Sequence, residues 1–181
     1  MQKSRIEQFF RMDERTWDRH ASGWSVWTRF ATLPFLFLAC WSHVWIGPWG
    51  AGAAISAIAL WLWVNPRLFA PPKRTDTWHA RATFGERVWL NRSRVPIPDH
   101  HVRVANALVV MTVIGFVAGI YGAATNSLWL ALSGALMTYV GKMWFLNRMV
   151  GLYQDMKDKD PIYRSWLRMP GNDNRKRDRA A

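Results

Sequence analysis

Two long tracts without a formally charged side chain constrain this chain more than any other feature. No Lys, Arg, Asp or Glu occurs from Phe30 to Val64 or from Val104 to Gly141. Helices of water-soluble proteins carry polar or charged residues along an exposed face, and these tracts contain no such charged face. The rest of the chain is strongly basic, with 24 Lys and Arg against 12 Asp and Glu. The sequence therefore predicts an all-α integral membrane protein.

Each charge-free tract has the length of two membrane-spanning helices. About 20 apolar residues suffice to cross the hydrocarbon core of a bilayer, and both tracts are clearly longer. Each also carries turn-forming residues near its middle, which are Gly47-Pro48 in the first and Thr125-Asn126-Ser127 in the second. We therefore predict four transmembrane helices arranged as two hairpins. They cover about 28–46, 49–65, 104–123 and 127–147.

The basic residues predict the orientation in the membrane. All 24 Lys and Arg lie before the first tract, between the two tracts or after the second, and neither predicted hairpin turn carries one. Lys and Arg accumulate on the cytoplasmic side of membrane proteins. We therefore expect a multi-pass protein of the cytoplasmic membrane with both termini and the central loop in the cytoplasm.

The predicted organisation has five parts. They are a cytoplasmic amphipathic N-terminal segment (1–27), a first transmembrane hairpin (28–65), a cytoplasmic loop with an interfacial helix (66–103), a second transmembrane hairpin whose last helix extends into the cytoplasm (104–157), and a basic, disordered tail (158–181). The N-terminal segment contains a capping-box pattern, Ser4-Arg-Ile-Glu7, which predicts a helix start.

The central loop predicts an amphipathic helix that lies on the membrane surface. It would be capped by Thr75 or Asp76 and end near Asn91, with aromatic and small residues on one face and arginines on the others. Helices of this composition bind the lipid–water interface. The expected partners are membrane lipids with anionic headgroups on the cytoplasmic side, or a partner protein. The candidate binding residues are Trp78, Arg81, Arg87, Trp89, Arg92 and Arg94.

Small residues at helical spacing predict close helix packing. The clearest case is Gly115-Phe-Val-Ala-Gly119 in the third predicted span, because glycines four residues apart let helix backbones approach closely in lipid. Two uses are open for these glycines: packing inside the bundle, or a homo-oligomer formed through Gly115 and Gly119.

Residues able to carry chemistry all fall on the predicted cytoplasmic side. They match no catalytic or phosphate-binding motif, and catalysis needs several side chains that converge. Cys40 and His43 offer two metal ligands where zinc sites use three or four, so no metal or cofactor is predicted. The candidates for an enzyme site or a substrate path are His20, His79, Glu86, His100, His101 and Lys142.

The leading interpretation is a non-enzymatic membrane component, and the alternative is a membrane-interface enzyme or small-substrate carrier that uses those candidates. Nucleic acid is not an expected partner, because the basic residues flank the predicted spans and topology accounts for them.

Five segments resemble a family of small prokaryotic membrane proteins, the domain-of-unknown-function family 6653. The segments are His20-Ala-Ser-Gly-Trp-Ser-Val-Trp-Thr-Arg-Phe30, Trp63-Val-Asn-Pro-Arg-Leu-Phe69, Gly85-Glu-Arg-Val-Trp-Leu-Asn-Arg92, Val95-Pro-Ile-Pro-Asp-His-His101 and Gly141-Lys-Met-Trp-Phe-Leu-Asn-Arg-Met149. The resemblance covers roughly residues 17–157. It implies a polytopic membrane protein, and it implies no activity and no site residue.

Overall fold

A computed structural model describes residues 14–169, and this part of the chain is all-α. Its seven helices are α1 (Glu14–His20), α2 (Gly23–Trp41), α3 (His43–Leu68), α4 (Trp78–Leu90), α5 (Asp99–Ala124), α6 (Leu128–Met156) and α7 (Pro161–Ser165). No strand occurs among the described residues. The predicted fold class is confirmed at this level. The predicted capping box at Ser4–Glu7 lies outside the described residues.

The described chain divides into two compact units. Unit 1 comprises residues 14–26, 67–98 and 146–169, and unit 2 comprises residues 27–66 and 99–145. Unit 2 therefore contains both charge-free tracts completely, and unit 1 contains most of the central loop and most of the described flanking segments.

Neighbouring helices of unit 2 run antiparallel. Along α5 and α6, Thr112 faces Gly141, Gly115 faces Thr138, and Gly122 faces Ala131, so the residue numbers rise on one helix as they fall on the other. On α2, Phe37 contacts Phe116 and Phe30 contacts Tyr139, with ring centroids 6.0 and 4.8 Å apart. The pairing of α5 with α6 matches the predicted second hairpin.

The α5–α6 contact consists largely of small residues. A methyl group built on Gly134 would lie 2.3 Å from the Gly119 backbone nitrogen, and one built on Gly115 would lie 2.8 Å from the Thr138 nitrogen. A methyl group on Gly119 would also lie 2.5 Å from the Phe37 ring. Gly115 and Gly119 are therefore occupied by packing inside the chain, which is the first of the two uses that the sequence leaves open.

The predicted turn at Gly47-Pro48 coincides with a break in regular helix geometry. Gly47 has φ 71° and ψ 172° inside α3, a region that glycine reaches without steric cost. The helices around it differ from prediction, because α2 already ends at Trp41. The Ser42 hydroxyl donates to the Ala39 carbonyl at 2.7 Å, which satisfies one of the free carbonyls at this helix end.

The second predicted turn is a helix cap of the Schellman type. Asn126 has φ 57°, and the Ser127 N–H donates to the Gly122 carbonyl at 2.8 Å. Together with the bond from the Asn126 N–H to the Ala123 carbonyl, this satisfies two carbonyls that α5 would otherwise leave free. The turn Thr125-Asn126-Ser127 is therefore where the sequence predicts it.

The predicted end of the second span at Asn65-Pro66 is wrong. Helix α3 continues through Pro66 to Leu68. The buried Asn65 side chain donates to the Thr28 hydroxyl of α2 at 2.8 Å, and this bond holds the last turns of α3 against α2. Proline at this point does not end the helix.

Two helices, α3 and α5, are long and apolar enough to cross a membrane by length and composition. Helices α2 and α6 do not reach the same mean hydropathy, because α2 contains Arg29 and both are rich in Trp, Ser, Thr or Gly. Of the four predicted spans, the composition of the helices thus supports two.

The predicted helix of the central loop exists as α4, and much of its surface packs inside unit 1. Seven of its 13 residues are buried, and a methyl group on Gly85 would lie 1.9 Å from the Met149 carbonyl oxygen of α6. Its N-cap is Thr77 and not Thr75 or Asp76. The Thr75 hydroxyl bonds elsewhere, and the Asp76 carboxylate pairs with Arg74.

The segment after α6 was predicted to be a disordered tail, but it contains a helix and buried side chains as far as Met169. Here α7 begins at Pro161, and the carboxylate of the preceding Asp160 accepts the Ile162 N–H as an N-cap. Tyr163 and Trp166 are buried, because both aromatic rings pack inside unit 1. Residues 170–181 of that predicted tail lie outside the described residues.

Candidate functional site

A buried arginine lies at the centre of unit 1. The Arg87 side chain is only 4 % exposed, and it forms an ion pair with Glu14 of α1, which is 71 % exposed. Its guanidinium carbon lies 4.3 Å from the Trp166 ring centroid and 5.7 Å from that of Trp17. A guanidinium within about 6 Å of an aromatic ring is attracted to the ring face. Arg87 thus joins three segments that are far apart in the sequence.

Aromatic side chains extend this centre into a cluster. Phe84 contacts both Tyr153 and Trp166, with centroids 5.3 and 5.6 Å apart, and Trp166 also contacts Tyr163 at 5.0 Å. The Tyr153 hydroxyl donates to the Tyr163 carbonyl at 2.8 Å. Burial raises the pKa of Tyr153 and of Tyr163 above the usual tyrosine value. We call Trp17, Phe84, Arg87, Tyr153, Tyr163 and Trp166 the Arg87 cluster.

Hydrogen bonds of Thr75 connect the last described residues to the central loop. Its hydroxyl donates to the Trp166 carbonyl at 2.7 Å and accepts the Arg168 N–H at 2.6 Å. Its own N–H donates to the Arg168 carbonyl at 3.1 Å. The Arg168 side chain pairs with Asp18 of α1. These bonds fix residues 166–168 against two other segments of unit 1.

This cluster was not predicted from the sequence, which placed Arg87 on an arginine-bearing face of the helix. That prediction is wrong, because Arg87 is buried between Trp166, Trp17 and Glu14. The available signal was Tyr163 and Trp166, two large aromatic residues in the predicted basic tail.

The other predicted binding residues of α4 and the loop after it are more accessible. Trp78 and Trp89 are half-buried. The indole nitrogen of Trp78 lies 3.4 Å from the side-chain carbonyl oxygen of Asn147. The guanidinium carbon of Arg92 lies 4.2 Å from the Trp89 ring centroid, and its Nη1 donates to the Trp89 carbonyl at 2.8 Å. Arg81 is half-buried and Arg94 is exposed.

The candidates for chemistry in unit 1 are His20, His79 and Glu86. The His20 ring packs edge-on against Trp17 with centroids 5.5 Å apart. His79 Nε2 lies 3.0 Å from the Thr77 hydroxyl, and burial lowers the pKa of this histidine. Glu86 lies two turns beyond His79 on α4 and is half-buried.

The candidates in unit 2 are His100, His101 and Lys142. The two histidine rings lie 4.3 Å apart in the first turn of α5, where His101 is buried and His100 exposed. The Lys142 ammonium lies 5.2 Å from the Phe145 ring centroid. Within either unit taken alone, the described residues contain no three His, Cys, Asp or Glu side chains grouped closely enough to share a metal ion.

The exterior of unit 2 is apolar. Of the exposed large apolar residues in the described chain, all but Trp24, Leu68, Ile162 and Met169 belong to unit 2. Trp49 is 91 % exposed and Trp129 is 81 % exposed, and each stands just after one of the two turns. The charged residues of unit 2 are restricted to Arg29, Asp99, Arg103 and Lys142.

Comparison with known proteins gives a family and no individual relative. Searches of curated proteins and of solved structures returned no significant match. A family model described as "Family of unknown function (DUF6653)" matches residues 1–168, which is a longer part of the chain than the five resembling segments cover. The chain, with its two units and its Arg87 cluster, therefore belongs to the DUF6653 family.

Proposed function

We propose that the protein is a multi-pass component of the cytoplasmic membrane, in which unit 2 crosses the lipid and the basic segments face the cytoplasm. Its role there is non-enzymatic, with exposed arginines and tryptophans that engage anionic headgroups. The observation that carries this proposal is the distribution of side chains in unit 2, where many large apolar residues are exposed while Gly115, Gly119 and Gly122 are buried.

This distribution is the reverse of that in a soluble protein. Monomeric soluble proteins rarely expose contiguous apolar patches larger than a few hundred square ångströms, whereas α2, α3, α5 and α6 all expose Leu, Val, Phe or Trp. Only 6 % of the most apolar window of α3 and 28 % of that of α5 is buried. A core helix of a soluble protein would be mostly buried. The glycine contacts between α5 and α6 are typical of helices that associate in lipid.

The contacts inside unit 2 favour four spans over two. Helix α2 lies against α5 and α6 through Phe37 and Phe30, and α6 lies along α5 through five glycines. A lipid environment that surrounds α3 and α5 would therefore also surround the helices packed beside them. Trp49 and Trp129 suit the lipid–water boundary, which tryptophan prefers.

The few charges of unit 2 support the orientation. Arg29, Arg103 and Lys142 lie at the same end of α2, α5 and α6, because α6 runs antiparallel to both α2 and α5. The opposite ends, at the two turns, carry no charge. Positive charge at one end only corresponds to a cytoplasmic location of that end.

Reporter fusions test this proposal. Alkaline phosphatase, which is active only outside the cytoplasm, should be active when it is fused after Gly47 or Asn126. Green fluorescent protein should fluoresce when it is fused after Pro71 or Lys159. Fusions at these four points avoid interrupting regular helix, because Gly47 is non-helical and the other three lie between helices.

The contrary results are specific for each hairpin. If green fluorescent protein fused after Gly47 fluoresces, and alkaline phosphatase fused at the same point is inactive, then α2 and α3 do not cross the membrane. The same result at Asn126 would remove the second hairpin. Release of the full-length protein from membranes by alkaline carbonate would exclude an integral protein altogether.

A further inference from the structure

We infer that Trp89 and Arg92 form a binding element for the phosphate of an anionic phospholipid in the cytoplasmic leaflet. We call these two residues the Trp89–Arg92 element. This inference rests on the proposed membrane location and assigns the headgroup contact to two of the six predicted binding residues.

The guanidinium of Arg92 is held in a fixed position. It lies over the Trp89 ring at 4.2 Å, and its Nη1 donates to the Trp89 carbonyl at 2.8 Å. Both contacts come from the same residue at the end of α4, so together they restrict where the guanidinium can lie. A guanidinium has five N–H donors in a planar fork that matches phosphate oxygens. A fixed fork loses less conformational entropy when it binds an anion than a free side chain does.

The described contacts of Arg92 include no carboxylate, unlike those of most arginines with a described partner in unit 1. Arg74, Arg87, Arg164 and Arg168 each pair with a carboxylate, which belongs to Asp76, Glu14, Asp158 and Asp18 respectively. The two described contacts of Arg92 are with a ring face and a carbonyl oxygen, and neither carries a formal charge. An anion brought to Arg92 therefore meets a full positive charge that no carboxylate among those contacts reduces.

The position in the chain favours a lipid over a soluble phosphate. Arg92 lies seven positions before Asp99, the first residue of α5, which is one of the two helices apolar enough to cross a membrane. A segment this short keeps Arg92 close to the start of that span. Tryptophan prefers the interface, and a basic residue close to an anionic leaflet contributes measurably to lipid binding. The exposed Arg94 adds a second cation in the same segment.

Lipid titration of the full-length protein tests the inference. The purified protein in detergent is titrated with phosphatidylglycerol or phosphatidylcholine, and bound lipid is counted by native mass spectrometry. We expect tighter binding of phosphatidylglycerol, with an affinity that falls about fivefold in Arg92→Gln. Arg92→Lys keeps the charge but loses the planar stacking and should fall about twofold to threefold.

Arg74→Gln is the matched control, since it removes the same charge from an exposed arginine that pairs with Asp76. It should change the affinity less than about twofold. Equal losses in the two glutamine variants would overturn the inference, because the lipid would then be responding to net charge alone. Equal binding of both lipids would overturn it as well, and so would displacement of phosphatidylglycerol by inorganic phosphate.

The two proposals fail separately. If the reporters place both turns outside and Arg92→Gln leaves the phosphatidylglycerol affinity unchanged, only the Trp89–Arg92 element is refuted. Cytoplasmic readings at both turns refute the membrane location, whatever the lipid titration gives.

Discussion

The two units of this chain distribute their side chains in opposite ways. In unit 1 the largest buried residues are mostly aromatic, as in the Arg87 cluster, and every described charged residue except Arg87 is exposed or half-buried. In unit 2 the contact between α5 and α6 is made largely by Gly, Ala and Thr, while many large apolar residues point outwards. Water drives large apolar residues inwards. Lipid does not, and it leaves close backbone packing to hold helices together. The packing of unit 1 is therefore the kind expected in water, and that of unit 2 is the kind expected in lipid.

The largest effect that we expect is from glycines at helix crossings, which occur in both units. Gly85→Ala in unit 1 places a methyl group 1.9 Å from the Met149 carbonyl oxygen, and Gly134→Ala in unit 2 places one 2.3 Å from the Gly119 nitrogen. Backbone atoms cannot move aside as a flexible side chain can. Each substitution should lower the free energy of unfolding by about 3 kcal/mol, measured in detergent by circular dichroism.

Gly52→Ala is the control for both glycine variants, because a methyl group on Gly52 would meet nothing within 4 Å. Since alanine favours a helix over glycine by about 1 kcal/mol, this variant should be neutral or slightly stabilised. A Gly134→Ala protein as stable as Gly52→Ala would show that α5 and α6 are not held by close approach. The contrast between the units would then lose its main support.

A smaller effect, confined to unit 1, is expected from Arg87→Met. This variant loses the ring contacts to Trp166 and Trp17 and the pair with Glu14, and keeps much of the apolar length of the side chain. We expect a loss of about 2 kcal/mol in the free energy of unfolding. The near-ultraviolet circular dichroism of the tryptophans should weaken as well.

Arg94→Met makes the same chemical change at an exposed position and should cost less than about 0.5 kcal/mol. Arg87→Lys should fall between the two, because lysine keeps the charge and loses the planar stacking. Equal stability of Arg87→Met and Arg94→Met would mean that the Arg87 cluster does not organise unit 1.

The smallest effect concerns pH and the burial of His79. Because burial lowers the folded-state pKa of His79, the unfolded chain takes up a proton first, at about pH 6.5. The stabilisation is therefore complete above about pH 6.5 and is lost as the pH falls through the folded-state pKa. We expect the free energy of unfolding to decrease by less than about 1 kcal/mol between pH 7.5 and 5.5. Thermal unfolding at each pH measures this decrease.

His79→Asn should flatten this part of the pH dependence of stability. A His79→Asn protein with the original pH dependence would show that burial of His79 is not its cause.

The local features of the fold were predictable because neighbouring residues determine them. Gly47-Pro48 and Thr125-Asn126-Ser127 are turn sequences, and the structure has a break or a cap at each. The extension of the last long helix to about residue 157 was likewise predicted, and α6 ends at Met156. The end of α3 was not, because the Asn65–Thr28 bond that holds it comes from another helix.

The site was less predictable, and Arg87 shows why. Periodicity marks an arginine as polar and therefore exposed. Its burial depends on Glu14 and Trp166, which lie far from it in the sequence, and no pattern within α4 indicates them. The same holds for Thr75, which suits a helix cap in the sequence and instead binds residues 166–168.

The three-segment construction of unit 1 has a consequence for synthesis. A ribosome makes the chain from its N-terminus, so every residue of unit 2 has been made once residue 145 is added. Unit 1 is different, because Tyr163, Trp166 and Arg168 are added only after the last residue of unit 2. Until then Arg87 and Thr75 lack the partners that bury them. A nascent chain that has reached residue 159 therefore contains all four long helices of unit 2, while Arg87 and Thr75 of unit 1 still lack these contacts.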